Sequence, residues 1–221
     1  KYNCRVDVIA VGTGKAIELG RNGDADVVFV HDRKAEDEFV ASGYGTNRRD
    51  VMYNDFVIVG PADDPAGIKG LNDAGEALSR IANSESVFIS RGDDSGTHKK
   101  ELALWKKAGI EPRGDWYSEA GQGMGAVLQM ANEKKAYALS DRGTFLAYTT
   151  KVELVVLCEG DPDLFNPYGI IAVNPAKHPH VKYLLAMAYI AWVTSAEGQA
   201  IIRDFGKDKF GQPLFIPVAV P

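Results

Sequence analysis

The residues best suited to chemistry lie together in Ser90-Arg91-Gly92-Asp93-Asp94-Ser95-Gly96-Thr97. They follow the apolar run Val87-Phe88-Ile89 and open a helical pattern that stops at Gly109. Gly92 and Gly96 permit backbone angles that turn N–H groups inward, and Asp94 or Ser95 is placed to cap the helix. The first turn of a helix carries unpaired N–H donors and the positive end of the helix dipole. Ser90, Ser95 and Thr97 add hydroxyl donors, and Arg91 adds a planar charged fork. A strand, loop and helix of this kind form a cradle for an anion.

Other motifs carry less. Gly12-Thr13-Gly14-Lys15 resembles part of a phosphate-binding loop, but Ile9 stands where that motif needs glycine and Ala16 where it needs Ser or Thr. Its strand-turn-helix setting leaves Thr13 and Gly14 as candidate anion donors. Gly121-x-Gly123-x-x-Ala126 fits a loose dinucleotide fingerprint, yet residues 115–120 contain no apolar strand to precede it. It reads better as a second helix N-terminus. Asp93, Ser95 and His98 could be written as a nucleophilic triad, but no G-x-S-x-G elbow accompanies them. His178-Pro179-His180 and His31-Asp32 have no further ligands at metal spacing, so no metal site is expected. Arg91-Gly92-Asp93 is a chance tripeptide within the strand-to-helix turn.

These motifs need a scaffold, and composition bounds it. The 221 residues, 45% hydrophobic and 25% charged, suit a globular protein of one large or two small lobes. A net charge of −5 argues against a nucleic-acid partner, so anion specificity must come from local donors. The apolar-rich run 181–193 is too short to span a bilayer. Cys4 and Cys158 are expected to be unpaired buried thiols. The alternating run 4–11 follows Lys1 without a turn, which is expected of a processed or trimmed start.

Along the chain the pattern predicts a strand over 4–11, a helix over 15–20 closed by Gly20, a strand over 25–30 and a helix over 36–41. This alternation implies parallel βαβ units. A strand over 54–60 leads into a Pro/Gly/Asp segment, 61–67, suited to an inter-lobe crossing. Helices follow over 74–82 and 97–108, then an irregular stretch over 109–118 and a helix over 126–135. Short strands at 137–139 and 152–157 flank a helix carrying Phe145 and Tyr148, and 166–174 is the strand that returns to the first lobe. A helix from Pro179 to Val193 and another opened by Thr194-Ser195-Ala196-Glu197 precede an extended tail. The expected fold is a bilobal α/β protein of two three-layer lobes with a ligand cleft between them. Lobe 1 is residues 1–61 and 170–221, and lobe 2 is residues 62–169.

The stretch from Ser90 to Glu101, with Leu104-Trp105-Lys106-Lys107-Ala108-Gly109-Ile110 after it, resembles the tungstate-binding proteins of bacterial ABC importers. Supporting matches are 11–16, 54–61, 121–125 and 138–144, and the resemblance covers essentially the whole chain. It implies a type II periplasmic-binding-protein fold, tungstate or molybdate bound between two lobes, and delivery to a membrane permease. It further implies a periplasmic or extracytoplasmic location, no cofactor and no catalysis. That family begins with a strand and helix carrying a Thr/Ser-rich oxyanion motif that this sequence does not match, so lobe 1 is expected to lack them.

Within this resemblance Arg91 supplies the charged contact. Ser90, Ser95, Gly96 and Thr97 supply hydroxyl or amide donors from lobe 2, Thr13 is the lobe 1 donor, and Gln122 and Gly123 close the cleft. Phosphate on the same fold is the alternative ligand, because Asp93 or Asp94 could accept the proton that phosphate keeps near neutral pH. If those carboxylates instead cap the helix and brace Arg91, the site excludes phosphate. A transferase on a related bilobal fold is a more distant alternative.

Overall fold

The computed structural model describes residues 4–219. They form two compact units, one running to Tyr53 and resuming at Asn166, the other Asn54–Phe165. No helix among the described residues is long and apolar enough to cross a membrane.

The first unit opens with α1 (Thr13–Asn22), β1 (Val27–Val30) and α2 (Arg33–Ala41), followed by the sixteen-residue β2 (Gly45–Gly60), whose second half belongs to the other unit. Residues 4–12 form no strand and lie exposed, Val8 at 81%. The strand expected over 4–11 is therefore absent, and with it the parallel βαβ unit. Alternating apolar residues make a strand only where a neighbouring backbone takes up their N–H and C=O groups. Cys4 lies in this segment, so only Cys158 is the buried thiol expected. Nor does α1 stop at Gly20. A Cβ there would meet Val28 Cγ2 at 2.6 Å and Phe39 Cζ at 2.9 Å, so Gly20 lets helix, strand and α2 pack closely. The helix ends at Gly23, in the left-handed conformation with φ 79°.

The second unit adds α3 (Ala74–Asn83), β3 (Phe88–Ser90), α4 (Gly96–Lys107), β4 (Tyr117–Glu119), α5 (Met124–Lys134), β5 (Ala138–Asp141), α6 (Arg142–Tyr148) and β6 (Val155–Cys158). β5 and β6 pair antiparallel with β2, whereas β3 and β4 pair in parallel with Phe88 opposite Tyr117. β4 begins at the end of the stretch expected to be irregular, because three residues are too few for periodicity to register. On β2, Phe56 and Ile58 pack with Leu78, Phe88 and Trp105, while Val57 and Val59 pack with Ile89, Val127 and Leu128. This period of two gives a sheet covered by helices on both faces.

The chain re-enters the first unit through β7 (Phe165–Val173), then forms α7 (Tyr183–Val193), α8 (Ala196–Asp204), α9 (Lys207–Phe210) and β8 (Ile216–Pro217). β7 pairs antiparallel with β1, Val28 opposite Ile171, and also neighbours β2. Ile171 and Val173 face Ile17 and Phe39, whereas Ile170 and Ala172 face Ala186 and Ile190. This unit too is helix, sheet, helix. α7 begins at Tyr183 instead of Pro179, because His178 and His180 are used as braces, their Nε2 atoms 2.9 Å from the carbonyls of Arg21 and Gly23. Ser195 caps α8, its hydroxyl accepting the Gly198 N–H. The units divide at Tyr53/Asn54 and Phe165/Asn166, earlier than the 61–67 segment chosen from turn residues, because β2 and β7 themselves carry the chain across.

One buried ion pair anchors the first unit. Glu36 is fully buried and its Oε2 accepts from Arg48 Nε at 2.7 Å, while Arg48 Nη1 lies 2.8 Å from Asp50. Burial raises the Glu36 pKa against the lowering effect of Arg48. Arg48→Ala strands a buried carboxyl and is expected to cost about 3 kcal/mol. Urea unfolding followed by circular dichroism reads this as a lower midpoint, and an unchanged midpoint would remove the pair from any stabilising role.

Candidate anion site

The site is built on β3. Phe88 and Ser90 share one face of the strand, and Ile89 takes the other. Ser90 is fully buried, yet its hydroxyl has no hydrogen-bond partner among the described residues. The chain then turns through Gly92, whose φ is 59° and where a Cβ would meet Glu119 Cβ at 2.7 Å. Only glycine fits there.

Asp93 organises the loop that follows. Its Oδ2 accepts from Arg91 Nε at 3.1 Å and Nη2 at 2.5 Å, and its Oδ1 accepts the Ser95 N–H at 3.2 Å. Burial opposes ionisation of Asp93, but hydrogen bonds from Ser95 and Arg91 outweigh it and hold the carboxyl below the usual range. Ser95 is the helix cap, its Oγ accepting the His98 N–H at 3.3 Å. Asp94 is not the cap. Its N–H donates to His98 Nδ1 at 3.1 Å and its carboxylate lies 3.4 Å from Lys99. Ser95 Oγ takes the His98 amide and Ser95 O the Lys99 amide, which leaves the Gly96 and Thr97 N–H groups of α4 without an acceptor among the described residues.

A second helix start is tied to the same loop. The Ala120 N–H donates to Ser90 O at 2.9 Å and the Gln122 N–H to Arg91 O at 3.3 Å. These bonds set Gly123, the residue before α5, beside the turn that leads to α4. No side chain caps α5, and a Cβ placed on Gly96 or Gly123 would meet nothing within 4 Å. A side chain at either position would therefore project into open space. Ser90, Arg91, Ser95, Gly96, Thr97, Gln122 and Gly123 thus converge on one end of the second unit. Thr13, the first residue of α1, belongs to the first unit, where Gly12 precedes it without a side-chain cap.

Behind this surface lies a polar layer that motif reading missed. Glu101 is 1% exposed, and its Oε1 accepts from Tyr117 Oη at 2.8 Å and Trp105 Nε1 at 3.2 Å. Burial raises the Glu101 pKa, and burial together with Glu101 raises that of Tyr117. The signal was present in the spacing, since Glu101 is one turn from both Thr97 and Trp105 on the buried face of α4. Two cations also escaped notice. Lys100 Nζ donates to the carbonyls of Asp163 and Phe165 at 2.9 and 3.3 Å. Arg142 grips Asp55 at 2.7 and 2.5 Å and also reaches Glu159.

The catalytic alternative fails on geometry. Asp93 serves Arg91 and an amide, His98 Nδ1 accepts from the Asp94 N–H, and Ser95 Oγ accepts an amide, so no Ser–His–Asp relay exists. No group of three metal-ligating side chains occurs among the described residues, and His31 Nδ1 lies 3.1 Å from Asn166 Oδ1.

Comparison with known proteins agrees with this architecture. A model of the PBP superfamily domain matches residues 1–197. A putative ABC transporter anion-binding protein of Haloferax volcanii is 56% identical over 225 residues, covering 100% of this chain and 65% of that protein. The chain therefore spans less than two thirds of that relative's length. The tungstate-binding protein TupA of Peptoclostridium acidaminophilum is 52% identical over 214 residues, covering 96% of this chain and 75% of that protein. The structure of TupA from Desulfovibrio alaskensis superposes with a TM-score of 0.89 at 47% identity, covering 95% of this chain and 85% of that one. With identity of this order running along nearly its whole length, the chain belongs to the PBP superfamily and, within it, to the TupA family of tungstate-binding proteins.

Proposed function

We propose that this chain is the substrate-capturing component of an ABC importer, binding tungstate or molybdate as an intact tetrahedral dianion without catalysis or cofactor. The observation that carries the reading is the pair of helix N-termini tied to one loop through the Ser90 and Arg91 carbonyls, a loop on which the buried Ser90 hydroxyl is left unpartnered. Amides of Gly96, Thr97 and Gly123, hydroxyls of Ser90, Ser95 and Thr97, and the Arg91 guanidinium supply donors. Gln122 borders them, and Thr13 is the donor from the first unit. A cognate membrane permease receives the ion, and the protein works outside the cytoplasm, in the periplasm where one exists. The names of the relatives, an ABC transporter anion-binding protein and tungstate-binding proteins, support capture of an oxyanion for an ABC importer.

The carboxylates favour a fully deprotonated ion over phosphate. Asp93, the acceptor phosphate would need, is already occupied by Arg91 and the Ser95 amide, and Asp94 faces Lys99. A phosphate proton without an acceptor costs about 1–3 kcal/mol, or roughly one to two orders of magnitude in affinity. Competition calorimetry with tungstate, molybdate, sulfate and phosphate is expected to rank phosphate last. Phosphate binding as tight as tungstate would overturn the assignment.

Removing the charged donor by Arg91→Ala loses about 2 kcal/mol and weakens tungstate binding by roughly thirtyfold. Thr13→Val removes a neutral hydroxyl worth about 1 kcal/mol, a roughly fivefold loss. Titration of either variant at wild-type affinity excludes that residue from the site. Asp93 adds a pH term. Its pKa is lowered in the fold, so its bracing is complete above the ordinary carboxylate range and is lost as pH falls through the lowered value. Asp93→Asn is accordingly expected to weaken binding at pH 7, and an unchanged affinity would show that Arg91 needs no brace.

A further inference from the structure

The group the binding reading leaves unused is Glu101. It is a carboxylic acid with 1% exposure, set directly behind two anion-facing residues. Thr97 lies one helical turn before it on the same face, and the Ser90 hydroxyl, without a hydrogen-bond partner as the side chains stand, interacts electrostatically with both Glu101 and Tyr117. Both donors that Glu101 does receive, Tyr117 and Trp105, go to Oε1. Among the described residues, the buried polar atoms near Glu101 that lack a hydrogen bond are Ser90 Oγ and His98 Nε2.

Two states of this cluster differ in what they show an anion. With Glu101 ionised, the Ser90 O–H turns inward to the carboxylate and its lone pairs face the site. A negative charge also stands one residue behind the place of a dianion, where low dielectric makes repulsion strong. With Glu101 protonated, its own O–H donates to Ser90 Oγ, and the Ser90 hydrogen is released to the ligand. We propose that Glu101 is a positioning residue for anion capture: seating a dianion over Ser90 is accompanied by uptake of one solvent proton on Glu101, and the neutral acid turns the Ser90 hydroxyl outward as a donor. This rests on the oxyanion reading of the α4 and α5 N-termini. Burial of Glu101 acts in the same direction, since it disfavours the carboxylate before any ligand arrives. The groups that face it are Tyr117 from β4, Ser90 from β3, and Trp105 and His98 from its own helix. His98 in turn lies 3.6 Å from Glu119 of β4.

The test is calorimetric titration of tungstate into this chain from pH 6.5 to 9, in buffers that differ in ionisation enthalpy. Wild type is expected to take up as much as one proton per anion, with affinity falling as pH rises, by at most tenfold per unit. Glu101→Gln mimics the neutral acid and is expected to bind with no uptake and no pH dependence. Tyr117→Phe removes a donor to the carboxylate and is expected to move the fall in affinity to higher pH, which keeps the proposal testable if the glutamine variant does not fold. Wild-type binding without uptake anywhere in this range overturns the role of Glu101 alone. Uptake persisting undiminished in Glu101→Gln overturns it in favour of another acceptor such as His98. Failure of wild type to bind tungstate at any pH removes the oxyanion reading, and this inference with it.

Discussion

Two backbone hydrogen bonds, Ala120 N–H to Ser90 O and Gln122 N–H to Arg91 O, are the constraint on which the site depends. Each helix N-terminus alone is a weak and common anion preference, worth about 1 kcal/mol or less at the surface. Tying the turn before α4 to the turn before α5 makes the two act on one place. The ties extend the β3–β4 register, in which Phe88 meets Tyr117 and Ser90 meets Glu119. The same short strand pair therefore sets both the core packing of Phe88 on Trp105 and the aim of the donors. Gly92 completes the geometry, because a side chain there would strike Glu119 and part the two turns.

Electrostatics are handled locally in a molecule whose overall charge of −5 repels anions. The Arg91 side chain is 18% exposed and already paired with Asp93. That pairing lowers the net positive charge of the loop, yet it fixes the guanidinium before a ligand arrives, which spares the ordering cost of binding. Asp93 also holds the Ser95 amide, so the residue that caps α4 and the residue that carries the charge answer to one carboxylate. On the proposed reading, neutral donors in fixed positions supplement the one guanidinium, a set that suits an ion with acceptors only.

Much of this was legible in the sequence. The 90–97 stretch combines a strand end, positive-φ glycine and a helix cap, all local signals that need no tertiary partner. Helix and strand positions in the second unit follow from periodicity for the same reason. What escaped depended on pairing between distant segments. Residues 4–11 alternate as a strand should, but a strand exists only with a neighbour, and none among the described residues pairs with it. The first half of β2, Gly-Thr-Asn-Arg-Arg-Asp, has no strand signature and is a strand because β7 lies against it. Gly20 looked like a helix stop, whereas its lack of a side chain serves the contact with Val28 and Phe39.

Glu101 marks the limit of motif reading from the other side. In the sequence it is an ordinary helical glutamate beside two lysines, and its meaning comes from Trp105, Tyr117 and Ser90 closing round it. A buried acid costs stability, and replacing it by an apolar residue of similar size would commonly be neutral or stabilising. Tyr117 and Trp105 offset only part of that cost, since both bind one oxygen. In the proposed arrangement, the proton on the Glu101 carboxyl changes what Ser90 presents. Placing that control behind the strand, one layer from solvent, lets the proton respond to the charge of the ligand and not to the surface.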